Sequence, residues 1–139
     1  MNENIEICLA HSLRRADRVV SQIYNDYLAP VGLRATQFSV LRALSIMGKT
    51  TASQIQEVLI LDQTTVSRVL KPLIRDNYIA VSAGVNKREK ALSLSKEGEA
   101  LYQRALVPWR EAQAMLKKRL EGQDQQLIKL SATIVNLKN

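Results

Sequence analysis

The 139-residue sequence predicts a mainly α fold of the α+β type, with about six helices and a two-stranded β-hairpin after the fourth. Three observations predict it. Apolar residues recur at spacings of three and four along most of the chain, which is the helical period. Only between Tyr78 and Leu94 does the pattern turn to β-prone residues and alternation. Capping side chains, Pro or Gly stand at most of the changes.

The first helix follows from Leu9, Leu13, Ala16, Val20, Ile23 and Tyr27, with Arg14, Arg15 and Asp17 elsewhere on the wheel. It should stop near Ala29, because Pro30 disfavours helical geometry in the residue before it and Gly32 follows. Thr36 can cap a second helix whose inner face carries Phe38, Leu41 and Leu44, with Gly48 as terminator. Thr51-Ala52-Ser53-Gln54 then fits the reciprocal capping box, opening a short helix with Ile55, Val58 and Leu59 inward. Asp62 offers the next N-cap, and Val66, Val69, Leu70, Leu73 and Ile74 repeat behind it at helical spacing. Pro72 removes one hydrogen bond from that helix at an ordinary cost of about 3 kcal/mol, so a bend is expected; it either aims the N-terminal half outward or is a tolerated kink.

Tyr78-Ile79-Ala80-Val81 and Ala91-Leu92-Ser93-Leu94 read as the two strands, joined through the turn-prone Gly84-Val85-Asn86-Lys87 with its polar, basic tip. Ser95 caps a long helix with Leu101, Ala105, Trp109, Ala112, Leu116 and Leu120 along one side. Trp109 is expected in the core or at an interface. Gly122 precedes a last helix carrying Leu127, Leu130, Ile134 and Leu137.

Charge adds a partner class. The net charge is +7, from 20 basic and 13 acidic residues, and it is unevenly spread. Residues 31–98 hold 10 basic and 5 acidic side chains, whereas residues 1–33 hold 3 and 4. A basic middle favours a polyanion, since basic side chains displace counterions condensed on nucleic acid. Three short helices followed by a basic-tipped hairpin is also the order of a winged helix-turn-helix, whose second helix-turn-helix helix enters the major groove. With the apolar stripe of the Asp62 helix turned inward, Gln63, Thr64, Thr65, Ser67, Arg68 and Lys71 face out. All can donate hydrogen bonds and none is acidic. Arg68 could grip guanine bidentately, and the threonine methyls could touch thymine methyls.

Other classes find little support. The sequence has no Gly-rich phosphate loop, Ser-His-Asp set or paired carboxylates on an apolar helical face, which argues against an enzyme. No cofactor is expected, and one histidine with one cysteine gives no metal-ligand cluster. A single cysteine, no signal-peptide pattern and no apolar run near the ~20 residues that cross a bilayer lead to the expectation of a cytoplasmic protein with no membrane partner.

Three stretches resemble the MarR family of transcriptional regulators: Thr36-Gln37-Phe38-Ser39-Val40-Leu41, Asp62-Gln63-Thr64-Thr65-Val66-Ser67-Arg68, and Asn86-Lys87-Arg88 before Leu92-Ser93-Leu94-Ser95-Lys96-Glu97-Gly98. The resemblance covers nearly the whole chain and implies one domain over residues 1–139. Its winged helix-turn-helix would occupy 33–98, and helices in 4–30 and 98–139 would build a homodimer on a pseudo-palindromic double-stranded DNA operator. Such a regulator is commonly a repressor released by a small phenolic or other aromatic effector. Lys87 and Arg88 would form the wing tip, with Arg88 reaching the minor groove. The family's wing pattern is Asp-x-Arg, and Asn86 stands here in place of the Asp. The family also suggests His11 and Arg14 as candidates for an effector pocket, and Cys8 as a redox sensor like that of its peroxide-sensing branch. Against the latter, Tyr24 and Tyr27 match that branch's tyrosines only in part, and Ala35 stands near the expected place of another. Two further readings stay open: a winged-helix interaction module that does not bind DNA, and a cysteine-based redox regulator.

Overall fold

The computed structural model describes residues 6–84, 86 and 88–138. Helix α1 (Leu9–Leu28) ends in a 3-10 turn, Ala29–Val31, closed by Gly32 in the left-handed region at φ 76°. Pro30 sits inside that turn, where its fixed φ is tolerated and its missing N–H costs nothing. Helices α2 (Ala35–Met47), α3 (Ala52–Leu59) and α4 (Gln63–Arg75) follow, then the antiparallel pair β1 (Ile79–Ser82) and β2 (Ala91–Leu94). Helix α5 (Lys96–Arg119) leads to α6 (Asp124–Val135) and a closing 3-10 turn, Asn136–Lys138.

Local chemistry explains most boundaries. The Thr51 hydroxyl accepts from the Gln54 N–H at 3.2 Å, while the Gln54 side chain accepts from the Thr51 N–H at 3.0 Å, so the capping box forms as expected. Asp62 Oδ1 accepts from the Thr65 N–H at 2.7 Å, and Ser95 Oγ from the Gly98 N–H at 2.9 Å. Helix α2 departs from the sequence expectation. It begins at Ala35, so Thr36 lies within the first turn. Its start is capped once from a distance and once locally: Asn25 Oδ1 on α1 accepts from the Ala35 N–H at 2.7 Å, and Gln37 Oε1 accepts from the Arg34 N–H at 3.0 Å. Helix α4 runs unbroken through Pro72.

The core joins α1 through α5. Leu28, Val40, Leu41, Leu44, Ile55 and Ile79 are fully buried at its centre, and Phe38 stacks on both Tyr102 and Trp109 with ring centroids 5.7 and 5.5 Å apart. Arg42 lies 4.5 Å above the Trp109 ring, fixing α2 against α5 with a cation–π contact. Paired backbone hydrogen bonds between Thr50 and Leu92 tie β2 to the segment before α3. Gly98 lets α5 approach the hairpin, since a Cβ there would stand 1.9 Å from the Tyr78 carbonyl oxygen.

Val58 and Ile74, expected inside, lie at the surface, and the first and last helices leave apolar residues uncovered. On α3 only Ile55 is buried, and Val58 is 56% exposed because this eight-residue helix has neighbours on one side only. Ile74 is exposed near the end of α4. Leu9 and Leu13 on α1 are 81% and 51% exposed, and α6 buries none of its residues. Leu127, Leu130 and Ile134 on α6 are exposed, as is Leu137, which falls past the helix in the final 3-10 turn. These helical stripes are apolar as read, and the described residues leave them uncovered. Among the described residues no helix is long and apolar enough to cross a membrane.

Candidate nucleic-acid interface

Helix α4 presents the face that its sequence predicts. Val66, Val69, Leu70 and Leu73 are buried, which turns Gln63, Thr64, Ser67, Arg68 and Lys71 to the exposed side, with Thr65 half-buried at its edge. Its first turn is held by Asp62. The Asp62 carboxylate lies below its ordinary pKa, first because it accepts the Thr65 N–H, next through the Thr65 side chain, and, after an opposing desolvation, through the nearby positive charge of Arg68. An exposed helix N-terminus with polar side chains and no acid beyond its cap is suited to a phosphate-lined groove.

The turn between α3 and α4 carries a backbone feature that composition does not reveal. Ile60 ends α3 in the left-handed region at φ 51°, although it is β-branched and 65% exposed. Its N–H and that of Leu61 return to the carbonyls of Glu57 and Gln56 at 3.4 and 3.0 Å. These bonds close the helix as glycine would, at a steric cost of about 1–2 kcal/mol.

Across from α4 stands the wing. Arg88 is exposed, and Asn86 Oδ1 accepts from the backbone N–H groups of Arg88 and Glu89 at 3.1 and 3.0 Å. Asn86 therefore shapes the turn as an aspartate would, through its side-chain oxygen, without adding a negative charge beside the arginine. Lys87, the other wing cation expected to touch DNA, lies outside the described residues. Between α4 and the wing runs an open groove of about 530 Å³, lined on the helix side by Gln63 and Ser67, on the wing side by Arg88 and Lys90, and at its floor by Ser53 and Gln56 of α3. The fold thus brings together residues 25 positions apart in sequence, Gln63 and Arg88, around one concave surface.

The remaining sequence candidates sit elsewhere. His11 and Arg14 are exposed on the N-terminal half of α1. Two cavities that touch α1 are reached instead from Val20, Tyr24 and Leu28. One, of about 400 Å³, lies between α1, α5 and α6; the other, of about 100 Å³, is walled by Tyr24, Phe38 and Trp109. Tyr24 donates its hydroxyl to Gln113 Oε1 across α1 and α5, and burial raises its pKa. Cys8 is exposed at the N-cap of α1. Among the described residues no group of three or more His, Cys, Asp or Glu side chains could hold a metal ion.

Comparison with known proteins agrees with this geometry. Residues 33–90 match the model of the MarR family. YwoH of Bacillus subtilis (strain 168), an uncharacterised HTH-type transcriptional regulator, is 30% identical over 95 residues, covering 68% of this chain and 69% of its own. The transcriptional regulator MosR of M. tuberculosis, solved in complex with DNA, is 31% identical with a TM-score of 0.74 over 94% of this chain and all of that one. BpsR of Bordetella bronchiseptica, whose DNA binding is regulated by 6-hydroxynicotinic acid, shares the fold at 23% identity, with a TM-score of 0.84 over 98% of this chain and 99% of BpsR.

Proposed function

The chain belongs to the MarR family of transcriptional regulators, and we propose that it binds a pseudo-palindromic operator as a homodimer, represses from it and is released by a small effector. The observation that carries the reading is the groove itself: a recognition helix with Arg68 and Lys71 outward and no acid on its outer face, set opposite a wing that projects Arg88. Gln63, Thr64, Thr65, Ser67 and Arg68 read or approach base edges in the major groove, Lys71 neutralises phosphate, and Lys87 and Arg88 serve the flanking minor groove. As a chromosome-binding protein it works in the cytoplasm.

The effector half of the proposal uses α1. His11 and Arg14 share the N-terminal half of this helix with exposed Leu9 and Leu13, so they can wall a pocket for an aromatic effector once a second subunit covers that half. Whatever fills such a site biases the separation of the two recognition helices, which must meet half-sites about one helical turn, or a multiple of it, apart.

Fluorescence anisotropy on random-sequence duplex across a salt series tests the DNA reading. The logarithm of the binding constant should fall steeply and linearly with the logarithm of salt, because each phosphate contact releases counterions. Little signal at any protein concentration would instead favour a module that binds only proteins.

A further inference from the structure

We propose that Ser53 and Glu89 form a strap that fixes the wing to α3 and so sets the direction of Arg88; both act as positioning residues and neither is a DNA contact. The inference rests on the DNA-binding reading above and deepens it.

Four observations meet at this point. Ser53 Oγ, in the first turn of α3, donates to Glu89 Oε1 on the wing, 36 positions along the chain. The backbone N–H of Glu89 is held by Asn86 Oδ1 at 3.0 Å, and that of Arg88 by the same oxygen at 3.1 Å. Gly84 brings the opposite limb of the wing so close that a Cβ there would stand 1.8 Å from the Glu89 carbonyl oxygen. Finally, Thr50 and Leu92 pair through both backbone groups, at 2.9 and 2.7 Å. Strand β2 is therefore anchored by backbone, and the part nearer the tip by one side-chain pair. Arg88 lies between Asn86 and Glu89, so its backbone is bracketed on both sides.

The position of the strap gives it leverage. Ser53 and Glu89 line both the 530 Å³ groove facing α4 and a second hollow of about 650 Å³ on the other side, bounded by Lys49, Glu57, Gly84 and Asn86. The pair is the partition between them. Without it, the wing beside Arg88 loses its side-chain tie to α3. Charge alone gives Glu89 the opposite role: a carboxylate beside a DNA groove repels phosphate, so removing it should tighten binding. The two readings therefore differ in sign.

The probe is a duplex selected by the full chain from a random-sequence library, with random duplex as control. Affinities are measured for the wild type, Ser53→Ala, Glu89→Ala, Glu89→Gln and Arg88→Ala, and for each of the first three variants combined with Arg88→Ala; thermal unfolding checks that each is folded. In the wild type Arg88→Ala should weaken the selected duplex by about tenfold. With Ser53→Ala or Glu89→Ala already present, the same change should cost less than about threefold, because a loose wing no longer delivers the guanidinium. Glu89→Gln keeps an oxygen acceptor for Ser53, so it should retain the full Arg88 effect. If Glu89→Ala tightens binding and the Arg88 effect is undiminished with Ser53→Ala, the strap is refuted while the DNA reading stands. If Arg88→Ala has no effect even in the wild type, the strap has nothing to position and falls while DNA binding through α4 stands; if the full chain enriches no duplex at all, the DNA reading falls.

Discussion

Arg68 and Arg88 carry the same charge, yet the surfaces they meet make their losses different in kind. Arg68 projects from the second turn of α4 beside a first turn rigidified by Asp62. Arg68→Ala should cost roughly 1–3 kcal/mol on a selected duplex and flatten base preference at one pair in each half-site, while random-duplex affinity falls less. Arg88→Ala should weaken binding across many sequences, because the minor groove distinguishes little beyond A·T from G·C and groove width. Quantitative binding to single-base variants separates the two patterns. Asp62 supplies a pH test of the same element. Its native pKa is depressed chiefly by the Thr65 N–H, so its stabilisation is complete above the ordinary carboxylate pKa and is lost as pH falls through the lower native value. Asp62→Asn retains a neutral acceptor for the same N–H. Urea unfolding should show the wild type ahead of this variant near neutral pH, with the gap closing below about pH 4.

At the scale of elements, the turn between α3 and α4 offers a substitution whose sign the magnitudes decide. Ile60 is exposed and left-handed, so Ile60→Gly forfeits little burial and relieves about 1–2 kcal/mol of steric cost. Glycine's extra freedom in the unfolded chain takes back about 0.4–1 kcal/mol. A net gain of about 0.5–1 kcal/mol in chemical denaturation is expected, and a loss would mean that the isoleucine side chain stabilises the turn. The same element shows where sequence reading works. Caps whose donor and acceptor lie within three residues, at Thr51, Asp62 and Ser95, were legible because the chemistry is local. The cap of α2 was not, since Asn25 comes from another helix and Thr36 offered a plausible local substitute. The outward face of α4 could be read from periodicity, whereas the Ser53–Glu89 pair and the Arg42–Trp109 contact join residues whose proximity only the fold creates. Burial on α3 misled for a related reason: period identifies an apolar face, but only the neighbours present decide whether that face is covered.

For the whole molecule, the uncovered faces argue for a second subunit. The core of α1 to α5 is closed, yet Leu9 and Leu13 at one end of the chain and Leu127, Leu130 and Leu137 at the other stand in water. Folding α6 back onto its own chain does not remove them, because it already faces a cavity of about 400 Å³ against α1 and α5 and still buries no residue. Exposed apolar residues at both ends of the fold suit the proposed dimer, in which two copies related by a two-fold axis would bury the same patch on each other. Every substitution in such an interface therefore acts twice. Leu130→Glu removes no core contact, so circular dichroism should report an unchanged helical content, while light scattering at micromolar concentration should shift from the mass of two chains toward one. DNA affinity should fall with it, since a monomer engages one half-site and loses the effective concentration that links two. Wild-type protein that scatters as a monomer at micromolar concentration, with cooperative unfolding intact, would contradict the dimer. A dimer whose DNA binding survives Leu130→Glu unchanged would show that assembly runs through another face.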